Sequence, residues 1–273
     1  VWVTNKSAAT TNTRDIVAFT DMAEADVYNK QLWTRSGATN PTNTSNTLYS
    51  FLTTEGLGAR DITLTTPLLD GLGLVGGEDY EKLENAKLLS SSEYRINEAL
   101  GYISLRTALQ PDQVLAVAFE YTYNGQIYQV GEFATDVRET NKALFVKTLK
   151  NTANTPQMLN WDLMMKNVYS LGATSVKRDK FRLDVKYLSD TTGVYLAYLP
   201  DPSLKDKRLL QLLGLDRLDN NNRKNPNAYF DFVEGYTIDP TSGRIFFPVV
   251  EPFGSYLRQV IGNDAIADKY VFQ

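Results

Sequence analysis

The sequence contains no cysteine and no histidine, and these two absences exclude several kinds of chemistry. Without thiols the chain has no disulfide, no dithiol redox centre and no cysteine nucleophile. Without imidazole it has no Ser-His-Asp triad, and without either residue it cannot form the usual structural zinc sites. The chemistry left to the chain is that of carboxylates, Lys, Tyr, Ser, Thr and oxygen-bound cations. With 273 residues, 42% of them hydrophobic, it is long enough to bury roughly three quarters of its surface and needs no covalent cross-links.

Long apolar runs and an excess of positive charge are also missing. The longest unbroken apolar run spans residues 114–119, far short of the ~20 residues that a membrane-spanning helix needs. Membrane-spanning β-strands are shorter and alternate between apolar and polar residues, so hydropathy alone does not exclude them. Lysine and arginine total 28 against 32 acidic residues, a net charge of −4. This balance does not favour a surface that binds nucleic-acid phosphates.

Turn-forming residues divide the chain into three predicted segments. Residues 1–50 contain short strands and a polar loop or linker at 36–47, which is made of Ser, Thr, Asn, Gly, Ala and Pro. We expect a β-rich hairpin subdomain at 51–150 and an α+β subdomain at 151–273. The predicted fold class is α+β and strand-rich, with antiparallel hairpins and a few short helices.

The strongest local signal is the dipeptide Asn124-Gly125, because a type I′ hairpin turn needs positive φ at both central residues. It lies between the largely alternating residues 114–123 and 126–133. A two-residue turn here predicts three cross-strand pairs: Tyr123 with Gln126, Tyr121 with Tyr128, and Phe119 with Val130. One face of the hairpin then carries aromatic and aliphatic side chains, and we expect that face to be buried in a core. Two strands of a barrel that contact lipid would show the same pattern.

Capping and spacing predict several short helices, among them one after Asp79 and one within residues 156–172. Asp79 is a suitable N-cap for a short helix that carries Tyr80 and Leu83. A second helix is predicted within residues 156–172, which end on a glycine. Its apolar residues recur at helical spacing: Trp161, Met164, Met165, Val168 and Tyr169.

The best candidate metal site is an acidic, amide-rich stretch at 216–231. Calcium takes about six to eight oxygen ligands, which carboxylates and amides supply. The candidate ligands are Asp216, Asp219, Asn221 and Asp231. The stretch lacks the spacing of an EF-hand loop and contains Arg223-Lys224, so an ordinary Asn-rich turn is the other interpretation. No other cofactor is expected.

Pairs of carboxylates remain as candidates for glycoside hydrolysis, which requires two acids about 5–9 Å apart across a cleft. Glu132 with Asp136, and Asp231 with Glu234, are candidate pairs. Among 32 acidic residues such spacings arise by chance, and the sequence gives no sign of a cleft around them. We therefore expect no catalytic residues and no enzymatic activity.

Four ordered blocks of the sequence resemble one known family. The blocks are VWVTN (1–5) with RDIVAF (14–19); EYRIN (93–97) with LGYISL (100–105) and VLAVAF (114–119); VGEF (130–133); and FDFVEG (230–235) with GRIFFP (243–248) and EPFG (251–254). Together they resemble the SprA, or Sov, family of gliding-motility and secretion proteins of Bacteroidota. Members of that family are many times longer, so we expect this chain to be a piece of a longer protein.

The resemblance implies a role in protein transport. Members of the family form the outer-membrane translocon of the type IX secretion system, a very large β-barrel with inserted domains. The chain would be an inserted domain of that outer-membrane β-barrel protein and would cap, line or brace its pore. The implied partners are secreted cargo proteins with C-terminal signal domains and other outer-membrane components of the secretion system. The implied location is the cell outer membrane, reached through the parent barrel, with the extracellular side favoured over the periplasmic one.

A second interpretation does not require a pore. The chain contains 16 tyrosines, and tyrosine suits surfaces that are wet on one side and apolar on the other. The chain would then be a tyrosine-rich cell-surface module that binds glycan or protein.

Overall fold

The computed structural model describes residues 1–8, 10–98, 101–202, 204, 206–219 and 221–271. Leu100 of the second family-like block and Asn220 of the candidate calcium stretch lie outside these residues. The chain divides into two compact units, Val1–Met164 and Met165–Gln273. About 25% of the chain is strand and 15% is helix, arranged in several small antiparallel sheets, which confirms the strand-rich prediction.

The first unit is built around a small closed barrel. The strands of the unit are β1 (Trp2–Val3), β2 (Thr13–Phe19), β3 (Tyr80–Leu88), β4 (Tyr94–Asn97), β5 (Tyr102–Leu105), β6 (Leu115–Val117), β7 (Phe119–Tyr123), β8 (Gln126–Val130) and β9 (Leu144–Lys150). Its helices are α1 (Leu48–Thr54) and α2 (Thr65–Gly71), with 3₁₀ turns at Glu55–Arg60 and Leu159–Leu163. Five strands close the barrel in the order β1-β3-β2-β9-β6, with β2 and β9 parallel. The pairs β4–β5 and β7–β8 are separate two-stranded hairpins.

Alternation along the barrel strands separates two cores. On β2, Ile16 and Ala18 belong to a cluster to which all five barrel strands contribute, so these side chains fill the interior of the barrel. Val17 and Phe19 point the other way, into a larger cluster that includes residues of α1 and α2. Because side chains alternate along β2, one face of the strand packs in the barrel and the other packs against the helices.

The predicted helix after Asp79 is wrong, because this segment forms the long strand β3. β3 pairs with β2 on one side and with β1 on the other. Leu83 enters the barrel interior, whereas Tyr80 joins the outer cluster. The Asp79 carboxylate accepts a hydrogen bond from the N–H of Val75 at 2.8 Å, so it orders the preceding turn. Pairing on both edges overrides the local capping signal.

The polar segment 36–47 is hydrogen-bonded to other parts of the first unit. Asn46 is buried, and its Nδ2 donates to the carbonyl of Asp21 at 2.7 Å. The N–H of Asn43 donates to the carbonyl of Gln129 at 2.9 Å. Because this segment has few apolar side chains, hydrogen bonds hold it in place.

The second unit has short elements around its own apolar core. They are β10 (Val168–Ser170), β11 (Tyr187–Leu188), β12 (Tyr195–Leu196), α3 (Leu209–Leu212), β13 (Ile238–Asp239), β14 (Arg244–Phe246), α4 (Ser255–Ile261) and α5 (Asp264–Ala267). One sheet has the order β10-β14-β13, and β11 pairs with β12. The core includes Leu213, Leu215 and Ile238, all fully enclosed.

Among the described residues, no helix combines the length and hydrophobicity needed to cross a bilayer.

The second predicted helix, at 156–172, is also wrong. Residues 159–163 form only a 3₁₀ turn, and the following residues enter β10. There Val168 pairs with Phe246 and Tyr169 with Ile245. β-branched and aromatic residues are favoured in strands. The pairing with β14 therefore makes this segment a strand and not a helix.

Candidate functional site

Three of the four predicted calcium ligands, the carboxylates, accept hydrogen bonds from backbone N–H groups of their own stretch. Asp216 is buried, and its two carboxylate oxygens accept from Asn227 at 2.9 Å and from Ala228 at 3.0 Å. Asp219 accepts from the N–H of Asn221 at 2.8 Å, and Asn221 itself is exposed. These bonds order the loop in the way that Asp residues order turns.

Asp231, the fourth candidate, has the same role. Its carboxylate accepts from the N–H groups of Arg217 at 2.6 Å and Leu218 at 3.1 Å. Burial raises the pKa of Asp231, and these two donors act against that rise. Among the described residues, no group of three or more acidic side chains is placed to hold a metal ion. Hydrogen bonds to the loop backbone account for the positions of the three carboxylates.

Glu132 lies at the centre of a buried ion pair. Arg60 donates to both carboxylate oxygens, at 2.6 and 2.8 Å, and the Glu132 side chain is only 2% exposed. The Tyr49 hydroxyl donates to Oε1 at 3.0 Å, and the N–H of Phe145 donates to Oε2 at 2.8 Å. Bonds of this kind to a charged acceptor are the strong ones in proteins. They hold the carboxylate as part of the core.

The carboxylates proposed as catalytic partners lie in different surroundings. Asp136 is exposed and accepts from the N–H of Phe133 at 2.8 Å. Since Glu132 is enclosed, these two acids do not face a common cleft. Glu234 is exposed and lines an open surface cleft together with Arg178, whereas its proposed partner Asp231 is bonded to loop N–H groups.

Glu132 influences the pKa of both side chains that donate to it, Tyr49 and Arg60. Burial is the largest cause that raises the pKa of Tyr49, and the negative charge of Glu132 adds to it. Burial alone would lower the pKa of Arg60, but the hydrogen bond and charge of Glu132 outweigh it, and the pKa is raised. Arg60 also lies 4.2 Å from the centre of the Phe145 ring, a favourable cation–π contact. Tyr49 is thus neutral and Arg60 charged at neutral pH.

A second ion pair, between a buried lysine and a partly exposed glutamate, lies on the outer face of β9. Lys147 is enclosed and its Nζ lies 2.6 Å from a carboxylate oxygen of Glu24. The same Nζ donates to the carbonyl of Thr20. Burial lowers the pKa of Lys147, and Glu24 acts in the opposite direction. Neither pair was predicted from the sequence, although Lys147 directly follows the apolar run Leu144-Phe145-Val146, where a buried cation needs a partner.

The β7–β8 hairpin has the predicted register but not the predicted burial. Phe119 pairs with Val130, Tyr121 with Tyr128, and Tyr123 with Gln126, which confirms all three predicted pairs. On that face Val130 is 1% exposed, but Phe119 is 40% and Tyr123 53% exposed. The prediction of a buried face was wrong because the strands leave the barrel after Ala118 and form a sheet of their own. The exposed hairpin is the best candidate interaction site of the first unit.

No known family model and no curated protein matches this chain. The candidate site is therefore defined by geometry. The buried ionisable groups Glu132, Lys147 and Asp216 are engaged by protein partners. The hairpin, by contrast, presents large apolar side chains to solvent.

Proposed function

We propose that the chain is a non-catalytic structural segment of a type IX secretion translocon of the SprA/Sov type. In this role it caps, lines or braces the protein-conducting pore. One observation carries the proposal: the blocks that resemble the family supply the framework of the fold. RDIVAF lies in β2, VLAVAF supplies β6, and GRIFFP supplies β14. VGEF contributes Glu132, the acceptor of the buried ion pair.

The ionisable groups support a structural role over a catalytic one. A catalytic acid or base must reach its substrate, whereas the Glu132 carboxylate is enclosed by protein donors. Asp216 is likewise buried and bonded to loop N–H groups. These groups lower the free energy of the folded chain by satisfying buried polar atoms.

The test is a deletion in a living cell. In a Bacteroidota strain, the segment of the SprA-type protein that matches this chain is removed, and the secreted proteins with C-terminal signal domains are quantified. We expect these proteins to accumulate in the periplasm and gliding to stop. An immunoblot of the outer membrane shows whether the parent barrel is still inserted. Normal secretion and gliding by the deletion strain would refute the proposal.

Exposed tyrosines of the second unit favour a second candidate, a cell-surface binding module. Tyr195, Tyr229 and Tyr236 are all largely exposed. Exposed aromatic rings that keep a polar edge are common where proteins bind other molecules. If this is the function, alanine at the three positions abolishes binding of the purified chain to a glycan array or to cell-surface protein. Secretion in the matching strain then stays normal.

A further inference from the structure

The outer edge of β7 carries backbone groups that point away from the hairpin. Next to a two-residue turn, the flanking residues form a hydrogen-bonded pair, and such pairs alternate along the strands. Tyr123 and Tyr121 therefore bond to β8. Glu120 and Thr122 direct their N–H and C=O groups outward. Within the described part of the chain, no other segment bonds to these outward groups.

The opposite edge of the hairpin is already covered at its base. Gln129, an outward residue of β8, accepts a hydrogen bond from the N–H of Asn43 at 2.9 Å. The Asn43 side chain also accepts from the N–H of Gly131 at 2.7 Å and donates to its carbonyl at 3.1 Å. The hydroxyl of Tyr121 donates to the carbonyl of Pro41 at 2.7 Å. Residues 41–43 thus act as a partial third strand beside β8, and β7 is the open edge.

The open edge has little of the usual protection against strand pairing. Proteins protect exposed edges with charged side chains, Pro or bulges, and residues 118–131 contain no Pro and a single charge, that of Glu120. β7 is exposed at Phe119 and Tyr123, and the Tyr121 ring stacks on Tyr128 with centroids 5.2 Å apart. The edge therefore offers both backbone bonds and an aromatic face.

We propose that the outer edge of β7 is a docking edge for an extended strand of a partner protein. The partner strand carries apolar side chains opposite Phe119, Tyr121 and Tyr123, and a Lys or Arg opposite Glu120. Strand addition of this kind gains affinity from main-chain bonds and specificity from alternate side chains. A second copy of this edge is a poorer partner, because Glu120 is the one charged residue in 118–131 and a copy would supply no cation. The inference goes beyond the proposed function, since it depends only on the hairpin.

The test uses the 273-residue chain and a defined probe. The probe is the synthetic peptide acetyl-Val-Thr-Val-Lys-Val-amide, which in antiparallel register places Lys opposite Glu120 and Thr opposite Thr122. A control peptide of the same sequence is N-methylated at Thr and Lys, so it cannot donate from those positions. We expect the probe to shift the NMR signals of Glu120 and Thr122 and to slow amide exchange at both. The amides of Tyr121 and Tyr123 already bond to β8 and should keep their exchange rates.

Two matched proline variants separate the edges. Thr122→Pro removes one outward N–H of β7, and Ile127→Pro removes one outward N–H of β8; neither N–H takes part in the ladder between the strands. We expect Thr122→Pro to weaken probe binding at least tenfold and Ile127→Pro to leave it unchanged. Persistence of the Tyr121–Tyr128 ring contact in NMR spectra shows that the hairpin is intact in each variant.

Each other result would overturn the inference. Absence of binding, equal binding of the N-methylated peptide, or loss of binding in Ile127→Pro would exclude the β7 edge as a docking edge. Dimerisation of the chain that Thr122→Pro abolishes, measured by sedimentation, would make a second copy the occupant. Because secretion is not measured here, these results stand apart from those of the deletion strain.

Discussion

Glu132 and Arg60 form a buried two-bond ion pair that joins three parts of the first unit. Arg60 ends the 3₁₀ turn that follows α1, Glu132 follows β8, and Arg60 lies over the ring of Phe145 on β9. The pair thus connects the helical cover to the barrel through charge, hydrogen bonds and an aromatic contact.

Removing one charge of this pair should destabilise the first unit. In Glu132→Gln the charge of Arg60 is left buried without a counter-ion, which typically costs about 3–5 kcal/mol. Chemical denaturation followed by circular dichroism measures this change. The matched control is Asp26→Asn, because Asp26 and Lys30 form an exposed pair whose loss should cost less than about 1 kcal/mol. Equal effects of the two substitutions would show that the Glu132 pair is not buried.

Two aspartate substitutions test how far the hairpin is buried. Val130→Asp places a charge at an enclosed position and should cost about 3 kcal/mol or more. Tyr128→Asp removes a ring that stacks on Tyr121 at the half-exposed face, and it should cost only about 1 kcal/mol. Thermal and urea denaturation give both values. A larger loss at Tyr128 than at Val130 would mean that the aromatic face is covered in solution.

The 216–231 loop should depend on its carboxylates and not on calcium. Asp216→Ala leaves the N–H groups of Asn227 and Ala228 without their acceptor, and each lost bond of this kind typically costs about 1–3 kcal/mol. We expect a lower thermal midpoint for the variant. The midpoint of the unchanged chain should be the same in calcium and in chelator. A midpoint that rises with calcium in the unchanged chain but not in Asp216→Ala would identify a calcium site by mass action.

Glu93 makes the stability of the first unit sensitive to acid. The hydrogen bond from Lys87, and then those from Ser90, lower the pKa of Glu93 from 4.5 to about 2. Because the folded-state pKa lies below the unfolded one, ionised Glu93 stabilises the fold fully above about pH 4.5, and this contribution is lost as the pH falls towards 2. An NMR titration of the side-chain carboxyl measures the pKa directly. In Lys87→Met the pKa of Glu93 should move back towards its ordinary value. An unchanged titration would show that Lys87 is not the main cause of the lowered pKa.

Local patterns correctly predicted those features that depend on neighbouring residues. The turn at Asn124-Gly125 determines the register of β7 and β8, because only a few residue types adopt positive φ at both positions. Asn124 has φ of 50° and Gly125 of 76°, so the residues and the turn agree. Local signals failed where distant strands compete for a segment, as β2 does for residues 80–88.

The candidate site shows the same division. The candidate calcium residues do lie in one loop, as their short spacing predicted, but the oxygens of the three carboxylates bond to backbone N–H groups. Neither Arg60 nor Lys147 was predicted to matter, because their partners Glu132 and Glu24 lie far away in the sequence. Ion pairs between distant residues leave no periodic pattern to detect.

By itself the amino-acid sequence excluded thiol and imidazole chemistry, since no residue of either type is present, and it set the register of one hairpin through a turn with few alternatives. Only the tertiary structure decided which faces are covered. Val130 is enclosed while Phe119, its cross-strand neighbour, is exposed. Burial depends on what packs against a side chain from elsewhere in the chain, and the alternation of residues within a strand does not contain that information.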